Sequence, residues 1–114
     1  MEKTLYNLTG KDIEYIHDMG ELQGRRLYTP IGKAAVVKLT EKEFTDDSGL
    51  VKFVRLYPEI LHLPEPTEGK MFIVSKKVFD NTDRPDVLTL DYSSTQVEYD
   101  SSGNIKAFKR FICK

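Results

Sequence analysis

The sequence predicts a small α+β protein that is mostly β: an antiparallel sheet or partly open barrel with one or two short helices, forming a single domain over residues 1–114. Three observations lead there. Apolar residues come in roughly six to eight short clusters of strand length, bounded by turn-forming residues. Two runs near the C-terminus flank a polar turn, as in a hairpin. There is no heptad, internal repeat or low-complexity tract. The length suffices for one hydrophobic core and is too short for two.

Taken in order, LYNLTGKDIEYIH is two extended pieces about a Thr9-Gly10 turn. Ile13, Tyr15 and His17 share one face of the second piece, with Glu14 and Ile16 on the other. Asp18, Met19, Gly20 and Gly24 predict a loop, from which Arg25 and Arg26 enter the next run. Lys33 to Phe44 is a strand with Ala35, Val37 and Leu39 on one face, and TDDSG at 45–49 supplies the turn. In LVKFVRLY, 50–57, Val54 and Leu56 break the alternation begun by Val51, Lys52 and Phe53, which predicts a bulge or burial on both faces. PEILHLPEPTEG holds Pro58, Pro64 and Pro66 and reads as an irregular crossover, with Ile60, Leu61 and Leu63 on the core.

Met71 to Val74 is a short, wholly apolar, central strand. Ser75 stands as the N-cap of a turn or two of helix, which residues 80–85 terminate. VLTLD, 87–91, returns as a strand at the sheet edge. STQVEYDSSGNIKAFKRFI is a hairpin around a type I turn over Asp100 to Gly103, with Gly103 left-handed and Asp100 paired with Asn104. That register sets Tyr99 against Ile105, Glu98 against Lys106 and Val97 against Ala107, so apolar meets apolar and acid meets base.

Composition excludes several functions. Hydrophobic residues are 39%, charged residues 31% and the formal charge is −1, so no basic field exists to attract double-stranded DNA. No apolar run approaches the roughly 20 residues of a membrane span. MEKTLYNLTGKD lacks the apolar block of a secretory signal, and the lone Cys113 permits no internal disulfide, so a cytoplasmic location is expected. His17 and His62 have no metal-ligand spacing, and no nucleophile elbow or phosphate-binding glycine loop occurs. Binding is expected ahead of catalysis, with an enzyme acting on a phosphorylated metabolite left as a third option, and no cofactor or metal is implied. Lys106, Lys109 and Arg110 interleave with Phe108 and Phe111, a pattern that can bind single-stranded nucleic acid. The plainer reading has Glu98 and Asp100 neutralising that strand while the phenylalanines enter the core.

One anion site is expected. A strand ending at Ser75 and turning into a helix presents backbone N–H groups, which Lys76 and Lys77 reinforce. Arg84 supplies a bidentate clamp, and Asp86 either orients it or accepts from a ligand base or ribose. Asn7 and Thr9 join if the first segment pairs beside this strand. The alternative is a capped helix, a solvated lysine face and an Arg84–Asp86 pair that stiffens a loop.

N-L-T at 7–9, Leu63-Pro64, F-I-V-S at 72–75, D-R-P-D at 83–86 followed by V-L-T-L-D, and the hairpin from Asp100 to Gly103 form a pattern over most of the chain. It resembles a family of small, largely uncharacterised bacteriophage and actinobacterial proteins. The chain departs from that pattern at Lys11, where histidine is common, and at Phe72, where tyrosine is usual. The resemblance implies a phage or prophage setting and a function by binding. The first expectation is therefore a non-enzymatic protein that captures a small anionic ligand, such as a nucleotide signal of host defence. The second is a protein-interaction module, a virion accessory protein or an inhibitor of a host enzyme. Association with further copies of the chain is left open.

Overall fold

The computed structural model describes residues 3–19 and 22–114, with the side chains of 17–19, 22 and 23 set aside. The elements are β1 (Thr4–Asn7), β2 (Ile13–Met19), β3 (Leu22–Tyr28), β4 (Val36–Thr45), β5 (Lys52–Leu61), β6 (Lys70–Ile73), α1 (Lys76–Asp80), β7 (Val87–Leu90), a 3-10 turn (Ser94–Gln96), β8 (Val97–Tyr99), β9 (Ile105–Phe108) and β10 (Phe111–Cys113). They form a four-stranded sheet β1-β6-β7-β10, a second sheet β3-β2-β9-β8, and a two-stranded ribbon β4-β5. The fold is a mostly-β α+β arrangement, and no barrel closes among the described residues. β1, β6 and β7 run parallel, with β10 antiparallel to β7.

The first sheet is covered on both faces, which explains why its central strands are apolar apart from Lys70 and Thr89. Phe72, Val74 and Val87 meet Leu8, Ala35 and the α1 residues Val78 and Phe79, with Val37, Ile60 and Leu63 packed around them. On the other face Ile73 and Leu90 meet Ile13 and Tyr28 of the second sheet. α1 is brief but properly started: Ser75 is its N-cap, and Val78 N–H donates to Ser75 Oγ at 3.4 Å.

Several expectations are corrected. β7 is no edge strand. It lies between β6 and β10 with all four residues buried, and its one polar side chain, Thr89, donates to Val74 O at 2.9 Å. Asp18, Met19 and Gly24 belong to a β2–β3 ladder in which Asp18 opposes Gln23 and His17 opposes Gly24, so pairing overrides their turn preference. The His17 side chain lies outside the described residues. The C-terminal hairpin keeps its turn, with Asp100 N–H on Asn104 O at 2.8 Å and Gly103 at φ 83°. Tyr99 opposes Ile105 as expected, but a bulge then sets Glu98 against Ala107 and Val97 against Phe108. Lys106 takes the extra position, still 3.8 Å from Glu98, and Ala107 is fully buried.

The largest correction concerns residues 36–61. Pro58 is not in an irregular crossover; the β4–β5 ladder runs unbroken from Val36↔Leu61 to Thr45↔Lys52, with Leu39 opposite Pro58. A ribbon with one open edge per strand tolerates proline where the missing N–H faces outward. The ladder contains neither the bulge nor the two-sided burial expected for 50–57. Only Val37, Ile60 and Leu61 at its base are partly covered. Ten paired residues at about 3.3 Å each make an arm roughly 33 Å long. The molecule accordingly measures 70 × 38 × 23 Å. Its radius of gyration, 18.6 Å, far exceeds the roughly 13 Å of a compact chain this long.

Candidate functional site

The residues expected to bind an anion divide into two groups that do not converge. Ser75 leaves β6 at its C-terminal end, whereas Asp86 precedes β7, where its carbonyl accepts from Phe72 N–H at 2.8 Å. On parallel strands that separates them by three to four residues, roughly 10–13 Å. Arg84 is engaged with Asp86 through Nε at 2.9 Å and a terminal nitrogen at 2.6 Å, and both side chains are largely covered. The guanidinium hydrogen bond holds the Asp86 carboxyl below the usual carboxylate range. Lys76 Nζ sits on Asp80 at 2.7 Å in an exposed i,i+4 pair, which is weak and exchangeable.

Asn7 is a structural tie. Its amide nitrogen donates to Lys11 O at 2.6 Å and Tyr28 O at 2.9 Å, and its oxygen accepts from Thr9 N–H at 2.9 Å and the Thr9 hydroxyl at 2.7 Å. Every donor and acceptor of the buried amide is used, so it fixes the turn after β1 to the end of β3. Thr9 and Ser75 do meet. Both line a cleft of about 320 Å³ with Lys11, Asp12, Tyr92 and Phe108. Lys76 lines a neighbouring cleft of about 350 Å³ with Phe79, Asp91, Tyr92 and Ser93. Among the described residues, no group of three or more His, Cys, Asp or Glu is placed to hold a metal ion. No helix among them is long and apolar enough to cross a membrane.

The strongest electrostatic feature ties strands together. Asp91 is buried, accepts from Ser93 N–H at 2.9 Å and from the Ser93 hydroxyl, and receives Arg110 Nε at 2.6 Å. Ser93 first, then Arg110, bring its carboxyl down to about 2. On the basic C-terminal segment, Phe111 stacks on Tyr15 at 4.6 Å and Phe108 meets Tyr92 edge-on at 5.2 Å. Phe108 and Phe111 pack against the second core rather than forming an open stacking platform, and Tyr92 alone of these rings is left half exposed.

The feature that residue-by-residue reading missed is the arm. Seven of the fifteen exposed large apolar side chains among the described residues lie on its two strands, including Leu39, Phe44, Phe53, Val54 and Leu56, and Leu50 and Val51 add two more in the turn at its tip. Side chains alternate along each strand and opposed residues share a face, so the ladder register defines two unlike faces. One carries Lys38, Lys42 and Arg55 with Phe44, Phe53 and Tyr57, against the single carboxylate Glu59. Lys42 lies 5.3 Å over the Tyr57 ring and Arg55 5.6 Å over Phe44. The other face carries Glu41 and Glu43 with Leu39, Val54 and Leu56, against the single cation Lys52, which sits 3.5 Å from Glu43. The sequence signal was the apolar content of both faces in 50–57.

Compared with protein-family models, curated proteins and solved structures, the chain matches none.

Proposed function

We propose that this is a cytoplasmic protein-interaction module that works by laying the β4–β5 arm against a protein partner. The supporting observation is apolar exposure on both faces of a free ribbon: Phe53 is 55% exposed, Val54 57% and Leu56 51%. A two-stranded ribbon is marginal in water by itself, and contiguous exposed apolar surface marks contact sites. A phage setting, which the sequence resemblance implies, suits a chain that acts by contact. The test places a photoreactive residue at Leu56 in the producing cell. The expected result is a covalent adduct of discrete mass with a protein, lost when Phe53→Asp disrupts the arm. Uncoupled monomer with the probe at Leu56 and at Val54 alike contradicts the reading.

A second reading, capture of a small anionic ligand such as a nucleotide, is supported by Thr9, Lys11 and Ser75 lining one cleft. Calorimetry with nucleotides and cyclic dinucleotides tests it, and silence across the panel at high protein concentration removes it.

A further inference from the structure

We infer that the partner of the arm is the arm of a second copy of this chain, the basic aromatic face of one lying on the acidic aliphatic face of the next. The inference rests on the arm being a protein-docking element, and it adds the identity of the partner.

Charge complementarity carries it. Lys42 has side-chain neighbours on its own strand, Glu41 and Glu43, that point to the opposite face. Stack two arms in the same orientation, β4 over β4, at the roughly 10 Å spacing of packed sheets. Lys42 of one copy then falls between Glu41 and Glu43 of the other. With β5 over β5, Tyr57 falls between Leu56 and Pro58, and Phe53 falls beside Val54. In that register Lys42 meets acid and Tyr57 meets aliphatic, while Lys38 and Arg55 lay their stems on Val37, Leu39, Val54 and Leu56 and Phe44 falls beside Glu43. The reverse juxtaposition, basic face on basic face, brings Lys42 and Arg55 against their own kind, which like-charge repulsion disfavours.

Contact through the faces also fits the edges. Pro58 removes a donor from the open edge of β5, which discourages a strand from adding there. One face of the ribbon, roughly 33 Å by 10 Å, is smaller than the ~800 Å² per partner of a standard stable interface. A lone pair is therefore weak, and a stack in which each arm is covered on both faces doubles the contact per copy. Because the two faces differ, the contact is heterologous and propagates. The thinnest extent of the molecule, 23 Å, exceeds the roughly 10 Å arm spacing, so successive bodies splay apart and the close register is that of the outer arm around Lys42, as in a ring or helical stack.

The test uses purified full-length protein and sedimentation velocity over a wide concentration range at low salt. The wild type is expected to show a mass that rises above 13.1 kDa with concentration. Lys42→Glu alone and the Glu41→Lys/Glu43→Lys pair alone are each expected to weaken assembly by roughly tenfold or more. Mixed in equal amounts, these two variants restore it, since each supplies the face the other needs. Circular dichroism checks that both remain folded. Wild type that stays monomeric at millimolar concentration overturns the inference, as does assembly indifferent to both changes or unrestored by mixing. If the wild type is monomeric while the Leu56 probe still couples to a different protein, only the identity of the partner falls. If neither occurs, the interaction reading falls with it.

Discussion

Phe44 stands directly opposite Phe53 near the tip of a two-stranded arm, and both rings remain about half exposed. Neither belongs to the core clusters that hold the two four-stranded sheets together. Replacing both by serine is therefore expected to leave the thermal midpoint of the body within the shift of roughly 0.5 kcal/mol typical of surface changes. The same replacement lowers binding of a hydrophobic dye. A loss of several kcal/mol in urea melts would show that the arm is part of the cooperative core.

Asn7 leads to the opposite expectation. Asn7→Ala strands Tyr28 O and Lys11 O, at an expected cost of about 1–3 kcal/mol. Asn7→Asp costs more, because it turns a carboxylate oxygen toward those two carbonyls. Paired urea melts check the order, and an aspartate variant as stable as wild type contradicts the assigned bonding.

For Asp91 the folded carboxyl titrates at about 2, below its ordinary 3.8. A depressed acid contributes stability in full above its unfolded value and loses it as pH falls through the folded value. Asp91→Asn is thus expected to be less stable than wild type at pH 7, with the gap closing between about pH 4 and pH 2. Thermal melts across that range check it, and a gap independent of pH contradicts it.

Arg84→Ala is expected to raise the Asp86 carboxyl toward its ordinary value and to destabilise the fold by about 1 kcal/mol. Any affinity for anions at the Thr9–Ser75 cleft stays unchanged, because the pair lies at the other end of β6 and β7. NMR titration of Asp86 measures the first effect. An unmoved carboxyl contradicts the pairing.

Local chemistry made much of this legible in sequence. Ser75 caps α1, Gly103 turns the last hairpin, and the Met71–Val74 run lies at the centre of a sheet with Phe72, Ile73 and Val74 buried, each for a reason carried by neighbouring residues. Tertiary facts were not. Whether VLTL is an edge or an interior strand depends on β10, which follows it by twenty residues and pairs with it through Phe111, Ile112 and Cys113. Ser75 and Arg84 are close in sequence, yet a parallel crossover carries the chain back to the far end of the sheet between them. The arm was hardest to read, since a ribbon covered on both faces and one bare on both faces share the same alternation. Only the amount of chain left to cover it distinguishes them, and here Leu8, Ala35, Val78 and Phe79 cover no more than its base.

The most direct measurement mixes two cysteine variants in a Cys113→Ser background, Leu56→Cys and Tyr57→Cys, whose thiols lie on opposite faces of the arm. Stacked arms predict rapid cross-linking of one variant to the other by a short bifunctional thiol reagent, and little of either to itself. Cross-linking confined to like pairs, or none at concentrations where the wild type sediments as larger species, would contradict the stacked-arm account.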